Sequence, residues 1–357
     1  MSGGTFAARL LHWFDRHGRH DLPWQHPRTP YRVWLSEVML QQTRVATAIP
    51  YFSRFVARFP DVRSLAAAAQ DEVLACWSGL GYYSRARNLQ RAAQACLAEH
   101  DGELPRTLEQ LTALPGIGRS TAAAILAQAH GERIAILDGN VKRVLARHAD
   151  IQGFPGRPAV ERALWSEATA RLPPQRLADY TQALMDFGAT VCTPRRPMCP
   201  TCPLRDDCLA VARDHVHALP TPKPRRVIPE RKVVMLVLLD GDGCVLFERR
   251  PPSGIWGGLL GLPEFASIED ALLAAARRGA ATGDALPART YRHQFTHFKL
   301  DITPLLLQVR AATAVAESSH EWHAREAFAD LALPTAVRRV LELALRPGAA
   351  DHRRHLA

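Results

Sequence analysis

The chain has 357 residues, enough for two domains that each bury a core, and its 45 Lys and Arg against 35 Asp and Glu leave a formal charge of +10 with a pI of about 9.7. That balance suits an anionic partner, nucleic acid or an acidic membrane surface, and does not choose between them. No run approaches the ~20 apolar residues of a membrane span, and the start MSGGTFAARLLHWFDRHGRH has no secretory pattern, so a soluble, cytoplasmic protein is expected, nucleoid-associated if prokaryotic.

Residues 1–215 read as a mainly helical domain. Thr29 and Pro30 form a helix start, Thr as N-cap and Pro in the first turn, and Tyr31, Trp34, Leu35 and Val38 follow as one apolar stripe. Glu37 lies one step from that stripe, where partial burial raises a carboxyl pKa. Residues 107–129 read as two helices joined by Leu114-Pro115-Gly116-Ile117-Gly118, a helix-hairpin-helix whose glycines leave free N–H groups for a DNA phosphate. In IAILDGNVKRVLAR, Asp138 ends an apolar run and starts a helix, where backbone donors and the helix dipole are expected to lower its pKa. One protonated and one ionised carboxyl in a pocket is what cleavage of a glycosidic bond requires. Asn140 stands beside Asp138 and is a candidate to orient sugar or water.

Of seven cysteines, Cys192, Cys199, Cys202 and Cys208 crowd into one segment stiffened by Pro194, Pro197, Pro200 and Pro203. In a chain without an export signal this favours metal ligation over disulfides. Four thiolates in one loop can close round a polynuclear centre; structural zinc is the alternative, although zinc ribbons commonly carry two CxxC knuckles and this loop has one. Arg195, Arg196 and Arg205 lie between the candidate ligands, where they would face phosphates.

Residues 216–230 contain four prolines and several cations and read as a stiff basic linker. Beyond it, residues 231–345 read as an α+β domain: DGDG joins two β-rich runs as a hairpin, and residues 291–308 supply further strands. The tail 346–357 is polar.

LPGIGRSTA, then ILDGNVKRV, then the four-cysteine loop resemble the endonuclease III superfamily of helix-hairpin-helix base-excision glycosylases. Members that also nick DNA carry a lysine where this chain has Ser120, and serine cannot form the Schiff base. With SEVMLQQTRV, GLGYYSRARNL and the second domain, the resemblance narrows to the adenine DNA glycosylases over nearly the whole chain. It implies a [4Fe-4S] cluster on the four cysteines. It implies a monofunctional enzyme, acting as a monomer on duplex DNA containing A:8-oxoG or A:G and preventing G:C to T:A transversions. Glu37 would be the general acid and Asp138 would stabilise the sugar cation; Gln42 would insert near the orphan base and Tyr82 would stack beside the opposite purine. The second domain resembles a Nudix fold through Trp256-Gly257-Gly258-Leu259 and Gly261-Leu262-Pro263-Glu264, but FASIEDALLAAARRG lacks the carboxylate cluster for magnesium, so pyrophosphohydrolase activity is not expected. The resemblance gives Phe295-Thr296-His297 the task of checking for 8-oxoguanine. The rivals are an endonuclease III-like enzyme for oxidised pyrimidines, and a catalytically silent DNA-binding module.

Overall fold

The computed structural model describes residues 4–224, 227–252, 254–309 and 320–345. The polar tail 346–357 and residues 225–226 of the linker lie outside them. By internal contacts the chain divides into two units, 1–67 with 88–225, and 68–87 with 226–357. Among the described residues no helix is long and apolar enough to cross a membrane.

The first unit is helical. It holds α1 (Phe6–His17), α2 (Pro30–Leu40), α3 (Val45–Arg58) and α4 (Val62–Ala67). Next along the chain, α5 (Gln70–Trp77) belongs to the second unit and α6 (Ser84–Glu99) runs across the division. The first unit resumes with α7 (Leu108–Ala113), α8 (Arg119–His130), α9 (Gly139–His148), α10 (Pro158–Ala170), α11 (Leu177–Thr190) and the short α12 (Leu209–Ala212). The reading of α2 holds in detail: Thr29 Oγ1 accepts from Arg32 N at 3.3 Å, Pro30 opens the helix, and Tyr31, Trp34, Leu35 and Val38 are all buried. One core gathers Leu10 and Phe14 of α1, Val141 and Leu145 of α9, and Tyr180 and Phe187 of α11. Each such side chain contributes roughly 1.5–3 kcal/mol by leaving water, and together they fix the start of α9 against α11.

The second unit is built on β1 (Glu230–Leu239) and β2 (Val245–Arg249), with β3 (Leu260–Gly261), β4 (Glu264–Phe265), β5 (Leu286–Pro287), β6 (Tyr291–Gln294), β7 (Lys299–Gln308) and β8 (His320–His323). Its main strand order is β3-β2-β1-β7-β5; β4 pairs β1, β6 pairs β7 and β8 pairs β2. The DGDG turn closes as expected: Asp240 Oδ1 accepts from Asp242 N at 3.0 Å and Cys244 N at 2.7 Å. The centre is parallel, β1 beside β7 from Glu230↔Lys299 to Leu239↔Gln308. Met235, Val237 and Leu239 of β1 pack toward Val337 and Val340 of α14 (Thr335–Ala344), while Val234, Leu236 and Leu238 pack toward Ala271 and Ala275 of α13 (Ile268–Arg277). A strand covered on both faces needs apolar residues at every position, which is why VVMLVLL does not alternate.

By contacts, residues 68–87 group with the second unit. Ser78 Oγ and Tyr83 OH both donate to Leu333 O, at 3.0 and 3.3 Å.

Candidate active site

A pocket of about 820 Å³ opens in the first unit, in the size range of a small-molecule site. Glu37, Gln42, Ser120, Asp138 and Asn140 all line it, so five residues singled out from separate stretches of sequence meet there. Arg19, Trp24, Arg143 and Gln182 also line it, and none of these was singled out.

Glu37 stands near the end of α2, which packs on α8. Gln128 of α8 donates its Nε2–H to Glu37 Oε1 at 3.3 Å, leaving Oε2 to carry a proton. Burial, and next the charge of Asp138, push Glu37 up to about 8, so the acid is protonated at neutral pH.

Asp138 is the N-cap of α9, accepting from Val141 N at 2.7 Å and from Asn140 Nδ2 at 3.2 Å. The expected lowering of its pKa does not occur: the group is raised, because burial outweighs the cap bonds and the Arg143 charge. The cap geometry was legible, but the depth of the pocket around it was not. Asp138 nonetheless has more donors around its carboxylate than Glu37, so it is the better anion of the pair. Arg143 steadies this side by donating to Asn140 Oδ1 at 3.0 Å and Gly188 O at 2.6 Å, which turns the Asn140 amide to give its N–H to Asp138. A Cβ at Gly188 would fall 2.6 Å from that of Asn140, so only glycine in α11 lets α9 begin here.

Ser120 does not present a free hydroxyl in place of a lysine. Its Oγ accepts from Leu137 N at 3.1 Å and ties the first turn of α8 to the run that ends at Asp138. Gln42 is exposed in the turn after α2 with a left-handed backbone, φ 58°. In the hairpin between α7 and α8, Gly116 has φ 79° and Gly118 precedes the first turn of α8 with open space where a Cβ would stand.

The opposite end of α9 holds the cysteine loop. Arg143 Nε donates to Cys192 O at 2.7 Å; Arg147 donates to Thr193 O at 2.8 Å, Pro194 O at 3.1 Å and Cys192 Sγ at 3.4 Å. Cys192, Cys199, Cys202 and Cys208 line one apolar hollow with Met198 and Leu204. No group of three or more His, Cys, Asp or Glu side chains among the described residues is placed to hold a single metal ion. Four soft thiol donors round one hollow are the donor set that a thiophilic metal centre takes. Arg195, Arg196 and Arg205 are exposed.

The remaining candidates belong to the second unit. Tyr82 is 44% exposed with φ 50°, the second candidate for insertion into DNA to occupy the left-handed region. Arg85 sits over both the Tyr82 and Trp77 rings and donates to Gly81 O at 3.1 Å, holding the loop in that shape. In the turn between β6 and β7, Phe295 is anchored: it stacks on Phe298 at 4.4 Å and packs on Trp256 at 5.4 Å. Thr296 and His297 are exposed beyond it.

Residues 35–169 match the HhH-GPD superfamily base excision DNA repair proteins, and residues 234–343 match the NUDIX domain. The chain is 34% identical to the adenine DNA glycosylase of Buchnera aphidicola from Acyrthosiphon pisum, over 96% of this chain and 98% of that one. The chain belongs to the adenine DNA glycosylase family. The family's mouse member is 35% identical, over 95% of this chain and 78% of its own length. A thermostable thymine-DNA glycosylase shares the fold over 58% of this chain and 95% of its own, with a TM-score of 0.52 and 27% identity. Membership makes this protein a base-excision glycosylase, a hydrolase of N-glycosidic bonds in DNA, with a helix-hairpin-helix domain followed by a Nudix-like one.

Proposed function

We propose that the enzyme removes adenine paired with 8-oxoguanine or guanine in duplex DNA, using water and no covalent sugar intermediate on a lysine, and so prevents G:C to T:A transversions. The observation that carries this reading is the meeting of Glu37, Asp138 and Gln182 in one pocket. Adenine leaves poorly unless it first accepts a proton, and Glu37, protonated at neutral pH, supplies it to N7. As the bond to the sugar stretches, positive charge grows on the deoxyribose. A nearby cation favours an ionised carboxyl, so Asp138 stabilises that charge as it forms, held in place by Asn140 and the start of α9. Glu37, now ionised, takes a proton from the attacking water. Gln182 is 3% exposed, and its Oε1 has no hydrogen-bond partner among the described residues, an acceptor suited to the adenine amino group.

Gln42 and Tyr82 are the side chains that enter the duplex when the base is extruded, and the N–H groups after Gly116 and Gly118 hold a backbone phosphate. Thr296 and His297 face the base opposite, on a turn anchored by Phe295. The four cysteines would hold a [4Fe-4S] cluster; when bound it braces the loop that carries Arg195, Arg196 and Arg205 and supplies no chemistry to the base. Base release by the purified monomer from duplexes with A:8-oxoG, A:G, A:T and thymine glycol tests the reading. Release of adenine from the first two alone is expected; release of thymine glycol in its place would overturn it.

A further inference from the structure

Behind Arg19 and Gln182 of the pocket lining lies a buried carboxylate that the mechanism does not use. Asp186 is 1% exposed and lies one helical turn beyond Gln182 on the same face of α11. Its Oδ2 accepts from Arg19 N at 2.8 Å, and its Oδ1 accepts from Arg19 Nε at 2.9 Å, from the Arg19 NH2 group, and from Gln182 Nε2 at 2.8 Å. A carboxylate paired with a guanidinium can only accept. The Gln182 amide beside it therefore has one satisfactory orientation, with nitrogen toward Asp186 and oxygen away from it. That oxygen is the atom without a partner among the described residues, and Gln182 lines the pocket.

We propose that Asp186, neutralised by Arg19, is the positioning residue that fixes the Gln182 amide with its oxygen toward the base. The site then accepts a purine carrying N–H at C6 and rejects one carrying a carbonyl there. The inference rests on the pocket being the base-binding site. Its consequence is specificity against guanine and hypoxanthine, whose C6 oxygen would face the Gln182 oxygen, acceptor against acceptor with water excluded. A buried mismatch of this kind separates substrates by roughly tenfold or more. An unlocked amide would turn over and offer N–H instead.

The test is single-turnover release of adenine and of hypoxanthine from otherwise identical duplexes, read as a ratio, with the full-length protein. Gln182→Leu removes the acceptor, and Asp186→Asn offers the amide both a donor and an acceptor. Each should move the ratio toward hypoxanthine by about tenfold or more. Asp186→Glu keeps an accepting carboxylate and should keep the wild-type preference even where the overall rate falls. A merely structural role for Asp186 would slow both bases equally, and an unchanged ratio in Asp186→Asn with a shifted one in Gln182→Leu overturns the proposal. An unchanged ratio in Gln182→Leu overturns it as well. If Asp186→Asn does not fold, loss of the preference in Asp186→Glu overturns it, and retention supports it. Glu37→Gln, run alongside, separates the two claims: adenine release surviving in that variant condemns the pocket reading itself.

Discussion

Leu137 N donates to Ser120 Oγ at 3.1 Å, so a hydroxyl in the first turn of α8 holds the residue immediately before Asp138. The serine thus acts on the carboxylate through the backbone and contributes no nucleophile. Ser120→Ala leaves the Leu137 N–H without that acceptor, at a cost of about 1–3 kcal/mol. Thermal unfolding should show the loss, and adenine release should slow without any strand nicking appearing.

Glu37 sets the upper limb of the pH profile. Its pKa is raised to about 8 by burial and by Asp138, so the catalytic proton is lost as the pH climbs through that value and adenine release falls there. The linkage to stability has the same sign. The fold favours the neutral form, so this group's contribution is fullest below the ordinary carboxylate range and declines as the pH rises toward about 8. A rate that keeps rising above pH 8 would contradict the assignment.

Arg147 is 3% exposed and donates to Leu219 O, Thr193 O and Pro194 O. Arg147→Ala strands three carbonyls and should lower stability by more than about 3 kcal/mol, seen as a reduced denaturant midpoint. Cys192→Ser should lower the iron content per chain and the visible absorbance. A colourless wild-type protein containing zinc would overturn the cluster assignment without touching the chemistry at Glu37.

Tyr82 depends on Arg85, which lies over its ring and holds the preceding carbonyls. Arg85→Ala should weaken adenine release in the same direction as Tyr82→Ala. The two changes together should cost less than the sum of the single losses, because they act on one loop.

Helices, caps and motif residues were legible in the sequence because each rests on local chemistry. Thr29 and Pro30 start α2, the apolar stripe from Tyr31 to Val38 buries one face, and DGDG closes a hairpin. The pocket was legible only where a motif named its members. Gln182 and Asp186 are polar residues four apart on an otherwise apolar stretch of α11, a visible signal, but their meaning depends on Arg19, far away in the chain. The pKa of Asp138 was read in the wrong direction for a related reason: an N-cap is a local feature, whereas the depth at which it sits is set by α2, α8 and α11 together.

The most direct test of the account is single-turnover adenine release by Glu37→Gln from a duplex containing A:8-oxoG. The amide keeps the size of the side chain and has no acidic proton to give. Release slowed by about 10²–10⁴-fold, with DNA binding retained, is the expected result. Release at the wild-type rate would contradict it.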